Sequence, residues 1–132
     1  MSVLFFCTGA VSDKESNPLF AQYLKYTNTV TESNIKNISS LYFSESILES
    51  GAFETDEVKF FVFHDAIQKV FSHVEKIDKK YGCLIINGYS GVQNPYSLRL
   101  TFKLEESGWL IDNVHWYLLD ESSEFKGISA CN

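Results

Sequence analysis

Four side chains in this chain have the right chemistry for proton transfer: His64, Asp65, His73 and His115. Asp65 interrupts an otherwise apolar stripe (Val58, Phe61, Val62, Ile67, Val70, Phe71, Val74, Ile77) at a position expected to face inward. A carboxylate there acts as a general base if it lines a pocket. Otherwise it sits at a rim or bonds a neighbouring backbone group or tyrosine hydroxyl. His64 and Asp65 are consecutive, so on a helix they diverge by about 100° and form no direct dyad. His64 and His73, nine positions apart, fall on different faces. His115 opposes Val114 and Trp116 on a strand and reads as solvated; turned inward instead, it is the acid–base partner for Asp65. Neither HxxxH nor ExxH occurs, which removes a helical zinc or di-iron site. A GxSxG nucleophile and a Gly-rich phosphate loop are also missing, so neither metal nor cofactor is expected.

Cys7, Cys83 and Cys131 show no ligand spacing. Cys83, inside an apolar run, reads as a small core residue and not as a poised thiolate. Cys7 and Cys131 would pair if the protein is exported, but an odd count leans toward reduced thiols. Val3 to Cys7 is apolar yet too short to span a membrane. It is read as an arm docked on the body, with the trimmed end of a signal segment as the alternative. The expected compartment is therefore the cytoplasm, with export as the alternative.

Composition narrows the partners. The 17 acids outweigh 11 bases, leaving a net charge of −6, and Arg99 is the single arginine. Nucleic acid and anionic membrane surfaces are excluded by this balance, whereas a basic protein partner is compatible with it. The 11 Phe, 7 Tyr and 2 Trp either close a core or line an apolar cavity. The candidates for such a lining are Phe20, Tyr23, Phe61, Phe102, Trp109 and Trp116.

The elements that must position these residues follow from periodicity. Asn17-Pro18 opens a helix whose apolar face is Leu19, Phe20, Tyr23, Leu24 and Val30. Ser33 caps a second, with Ile35, Ile38, Leu41 and Tyr42 on one side. Phe43 to Phe53 gives a short strand or irregular crossing. Thr55-Asp56-Glu57 starts a third helix, running to about residue 78 and stopped by Gly82. Beyond it the period becomes 2: Cys83 to Ile86 as a buried strand, Asn87-Gly88 as a turn, then strict alternation from Tyr96 to Glu105. Trp109 to Leu119 pairs with it across Ser107-Gly108, and its change of parity predicts a β-bulge near Asp112-Asn113. One domain is expected: an arm (1–16), a core (17–119) and a polar tail (120–132). Its class is α+β, with three N-terminal helices packed in the concave face of a strongly bent antiparallel sheet.

The order of elements, and the hairpin Leu104-Glu105-Glu106-Ser107-Gly108-Trp109-Leu110-Ile111-Asp112-Asn113-Val114, resemble the nuclear transport factor 2-like superfamily. That resemblance covers roughly residues 17 to 119, and only the hairpin is specific. It implies a cone-shaped fold hosting isomerases, dehydratases and hydrolases, ligand binders, transport adaptors or toxin-neutralising immunity proteins. Fold alone does not choose among these. The reading taken is a non-catalytic domain binding a small apolar ligand or a protein partner. Its rivals are an immunity-type protein and an enzyme with Asp65 as base and His115 as partner. A homodimer or partner is expected on the polar strand face carrying Ser97, Arg99, Thr101 and Lys103.

Overall fold

The computed structural model describes residues 17–132; the N-terminal arm, with Cys7 and the apolar run from Val3, lies outside the described residues. The chain is α+β, with its helices ahead of its strands. Helix α1 (Pro18–Thr29) is followed by α2 (Ile35–Ile38), α3 (Glu45–Glu49) and α4 (Phe63–Ala66), with 3-10 turns between them, one of them at Asp56–Phe61. Four strands then form an antiparallel meander in the order β1 (Lys69–Asp78), β2 (Tyr81–Tyr89), β3 (Pro95–Glu105) and β4 (Gly108–Leu118).

The long helix expected over 56–78 is not formed. Only its first turns are helical, and Thr55 caps them by accepting from the Glu57 amide at 3.2 Å. Residues 69–78 instead pair with β2, from Lys69↔Tyr89 to Asp78↔Tyr81, with a bulge between Val70 and Ser72. Val70, Val74 and Ile77 suit a strand as well as a helical stripe, and β-branched residues beside a buried strand resolve the ambiguity toward pairing. Lys79 and Lys80 make the hairpin loop, where Lys79 takes a φ of +58°. Asn87-Gly88 is likewise no turn, since β2 continues through it to Tyr89. A Cβ on Gly88 would stand 2.4 Å from the Lys69 carbonyl oxygen, so the backbones approach there only because it is glycine.

The last hairpin follows expectation. Phe102 pairs with Ile111 and Thr101 with Asn113, leaving Asp112 as the extra residue of a bulge. That bulge anchors the helical half: Ser44 donates its hydroxyl to Asp112 Oδ1 at 2.6 Å, and Ile111 exchanges backbone bonds with Tyr42 and Ser44. The core joins Leu19, Tyr23, Tyr26, Ile35 and Phe63 to Leu84, Ile86, Leu98, Leu100, Phe102 and Ile111 on one sheet face. Tyr26, not Leu24, completes the buried face of α1, and Leu41 is exposed.

Helix α1 begins without a side-chain cap from Asn17. Its first amides are instead met from β1, where Glu75 accepts from Leu19 through Oε2 and from Phe20 through Oε1, each at 3.0 Å. A carboxylate at that end also faces the positive pole of the helix.

The opposite sheet face was expected to be wet, but residues 125–131 cover it. Ser97 is fully buried. Its hydroxyl accepts from the Lys126 amide, while the Asn87 amide group donates to the Lys126 carbonyl at 2.9 Å. Phe125 packs between Phe71 and Tyr89. Arg99 donates to the Ala130 carbonyl at 3.1 Å. Cys83 is bonded to Cys131 across 48 positions, with Cα atoms 5.8 Å apart. The leaning toward reduced thiols, the alternative pairing of Cys131 with Cys7, and the expected core role of Cys83 all give way to this bridge. Parity alone places Cys83 on the outer face, opposite Leu84 and Ile86.

Two outcomes follow. Glu75→Ala removes both acceptors from the start of α1 and lowers unfolding free energy by about 1–2 kcal/mol in urea titration. Cys131→Ser costs about 2–4 kcal/mol, the range for a closed loop of this size, and dithiothreitol brings the wild type to the same value.

Candidate functional site

The structure opens a cleft of about 660 Å³ at the end of the sheet where β1 starts and β2 ends. Its walls come from Phe60, Asp65, Ala66 and Gln68 on one side, and Ser90, Gly91, Val92, Tyr96, Trp116 and Leu118 on the other. That volume lies within the range of small-molecule pockets, and mostly apolar walls with a few polar groups are their usual chemistry.

Each wall is held for a local reason. The segment before β1 is fixed from α1, where the buried Tyr26 hydroxyl donates to the Phe61 carbonyl at 2.6 Å. Burial pushes that hydroxyl well above its ordinary pKa, and nearby Tyr42 adds to the rise. Tyr23 is raised by burial alone. The opposite wall is the tight β2–β3 connection, closed by bonds between Ser90 and Asn94 and between Gln93 and Ser90, each 2.9 Å. This closure projects Val92 outward at 77% exposure, matched by Leu118 at 77% and Phe60 at 50%. Large apolar groups left this wet around one opening mark an interaction site. Trp116 packs against Phe63 and edge-on to Tyr96. Its indole N–H is buried with no acceptor among the described residues. Such a donor costs about 1–3 kcal/mol while unpaired.

The titratable candidates separate. Asp65 does line the cleft. His64, thought to diverge from it, approaches instead: Nδ1 is 2.9 Å from Asp65 Oδ1, and Nε2 is 2.8 Å from the Val30 carbonyl oxygen. The expected divergence describes Cβ directions along a continuous helix, and α4 is a single exposed turn whose side chains reach around. At 40% and 59% side-chain exposure this pair adds little stability. His115 pairs in register with Arg99 and stacks edge-on to Tyr117. It is exposed on the face opposite Trp116, so Asp65 and His115 are not brought together. His73 stacks on Phe20 with ring centroids 3.5 Å apart.

Of the expected pocket residues, only Trp116 lines this cleft. Tyr23 and Phe102 are buried in the core, and Phe20, Phe61 and Trp109 pack against it. Arg99 is engaged by the tail, so the partner surface expected there is covered. Thr101 is half-buried, and Lys103 pairs with Glu105 at 3.4 Å beside a polar recess. Phe60, Gln68, Val92 and Leu118 were missed. Val92, an apolar residue between Gly91 and Gln93 in a loop, was the one signal available.

Comparison with known proteins gives no match to any family model, curated protein or solved structure.

Tyr26→Phe leaves the Phe61 carbonyl unpaired and costs about 1–2 kcal/mol. The unfolded chain releases tyrosine protons near pH 10, whereas the folded chain holds those of Tyr23 and Tyr26. Stability is therefore full below about pH 10 and falls as pH rises beyond it. Urea titrations on either side of that value measure the loss, which is smaller in the Phe variant.

Proposed function

We propose that this chain is a non-catalytic binding domain whose cleft holds a small, largely apolar ligand. The observation that carries the reading is the ring of wet apolar residues, Phe60, Val92 and Leu118, around a cavity floored by Tyr96 and Trp116. A ligand covering that ring removes from water the surface that folding leaves exposed. A ligand acceptor, or a water it carries, would also answer the buried Trp116 N–H.

Catalysis is the weaker reading for a chemical reason. A carboxylate base such as Asp65 works on a substrate together with a second titratable group turned toward the same cleft, and none is free to do so. Both ring nitrogens of His64 already face acceptors, at Asp65 and Val30, and His115 is on the other face. An immunity role, and a partner on the β3 face, have no observation in their favour beyond the acidic balance. Kinship to the nuclear transport factor 2-like superfamily stays a proposal resting on the Leu104–Val114 hairpin. The strand at Lys69–Asp78 replaces most of the third helix in the order of elements on which the resemblance also rested, and this counts against it.

The Cys83–Cys131 bridge supports an oxidising compartment over the cytoplasm. No helix among the described residues is long and apolar enough to cross a membrane.

The test is a small-molecule screen read by the indole N–H resonance of Trp116 and by thermal shift. Leu118→Glu, at a position 77% exposed, keeps stability within about 0.5 kcal/mol and abolishes the hits. Ligands that perturb the outer face and leave Trp116 unmoved would refute the cleft as the binding site.

A further inference from the structure

The cleft's charge pattern goes further than its shape. Asp65 is the one charged residue among those that line it; Gln68 and Ser90 are neutral, and the rest is apolar or aromatic. His64 engages Asp65 through Oδ1, and Oδ2 accepts no hydrogen bond from the described residues. Three aromatic rings, Phe60, Tyr96 and Trp116, share the same walls. Aromatic faces carry negative electrostatic potential, and tryptophan is the strongest of them toward cations. A lone carboxylate among aromatic walls, on a chain of net charge −6, repels anions and attracts cations.

We infer that the cleft takes an organic cation: a small amine or alkylated ammonium carried on an apolar body. The inference rests on the binding role proposed above and names its ligand class. The apolar body covers the ring of Phe60, Val92 and Leu118, while the ammonium lies between the free oxygen of Asp65 and the aromatic faces. A neutral ligand of equal shape would cover Asp65 without replacing the water it displaces. A carboxylate ligand would add a second negative charge beside it. The protein already places one cation at this rim, since Lys59 Nζ stands 5.5 Å from the centroid of the Phe60 ring. Lys59 is not among the lining residues, and Tyr96 and Trp116 stay open to a ligand.

Three probes of one shape decide the matter: 4-phenylbutylamine, 4-phenylbutan-1-ol and 4-phenylbutanoate. Binding is measured by calorimetry and by the Trp116 indole resonance in the intact oxidised chain. The amine is expected to bind about ten-fold tighter than the alcohol, an ion pair and a cation–π contact combined, and the acid weakest. In Asp65→Asn the ion pair is lost and the amine's advantage over the alcohol shrinks to the smaller cation–π part, while the alcohol is unchanged. If amine and alcohol bind wild type equally, or if the variant keeps the amine's whole advantage, the cation inference is overturned and the cleft remains a site for apolar ligands. If none of the three moves the Trp116 resonance at millimolar concentration, the binding role itself fails and takes the inference with it.

Discussion

From Gly82 to Gly88, seven consecutive residues of β2 are buried, on both faces of the strand. A strand of this kind is a constraint on everything around it, because each face must be covered by some other part of the chain. Leu84 and Ile86 are covered by the helical half through Leu19, Tyr23, Tyr26 and Phe63. Cys83 and Asn87 on the reverse are covered by the C-terminal segment, one through a disulfide and the other by donating to the Lys126 carbonyl. Ser97 accepts from the Lys126 amide and donates to Asn87 Oδ1, while Asn87 donates to the Lys126 carbonyl, so the buried polar atoms of that face are satisfied.

The cleft is what that covering leaves over. The helical half and the β2–β3 connection converge on the strand ends without meeting, and the gap retains Trp116 as its floor. Phe60, Val92 and Leu118 are exposed together around this one opening, whereas other exposed apolar residues such as Leu41, Phe71 and Tyr81 lie outside its lining. Selection for folding alone gives no reason for Val92 and Leu118 at 77% exposure, beside a buried indole N–H without a partner. A bound ligand gives a reason for both.

Much of the sheet was legible in the residues. Alternation from Tyr96 to Glu105 and the parity change at Asp112 located β3, β4 and their bulge, because a one-residue insertion reverses which side chains face inward. The stretch 69–78 was not legible, since Val70, Val74 and Ile77 recur at helical spacing while their β-branched side chains suit a strand, and only the demand of β2 for a neighbour decides between them. The site was barely legible. Its walls come from a 3-10 turn, the single turn of α4, a loop and two strand ends, and although the strands were legible, the juxtaposition of their ends with the helical half is one that folding creates. Parity did point Cys83 outward, yet nothing in the spacing named Cys131 as its partner.

The carboxylate of Glu75 lies 55 and 56 positions beyond the amides it receives. Helix α1 therefore has no local stop for its first turn, and an isolated 12-residue helix is marginal in water. The start of α1 is tied through one carboxylate to the β1–β2 hairpin, whose own contacts are near neighbours in the chain. Loosening that hairpin uncovers the first helical amides as well, so the helical and sheet halves of the described chain share one support.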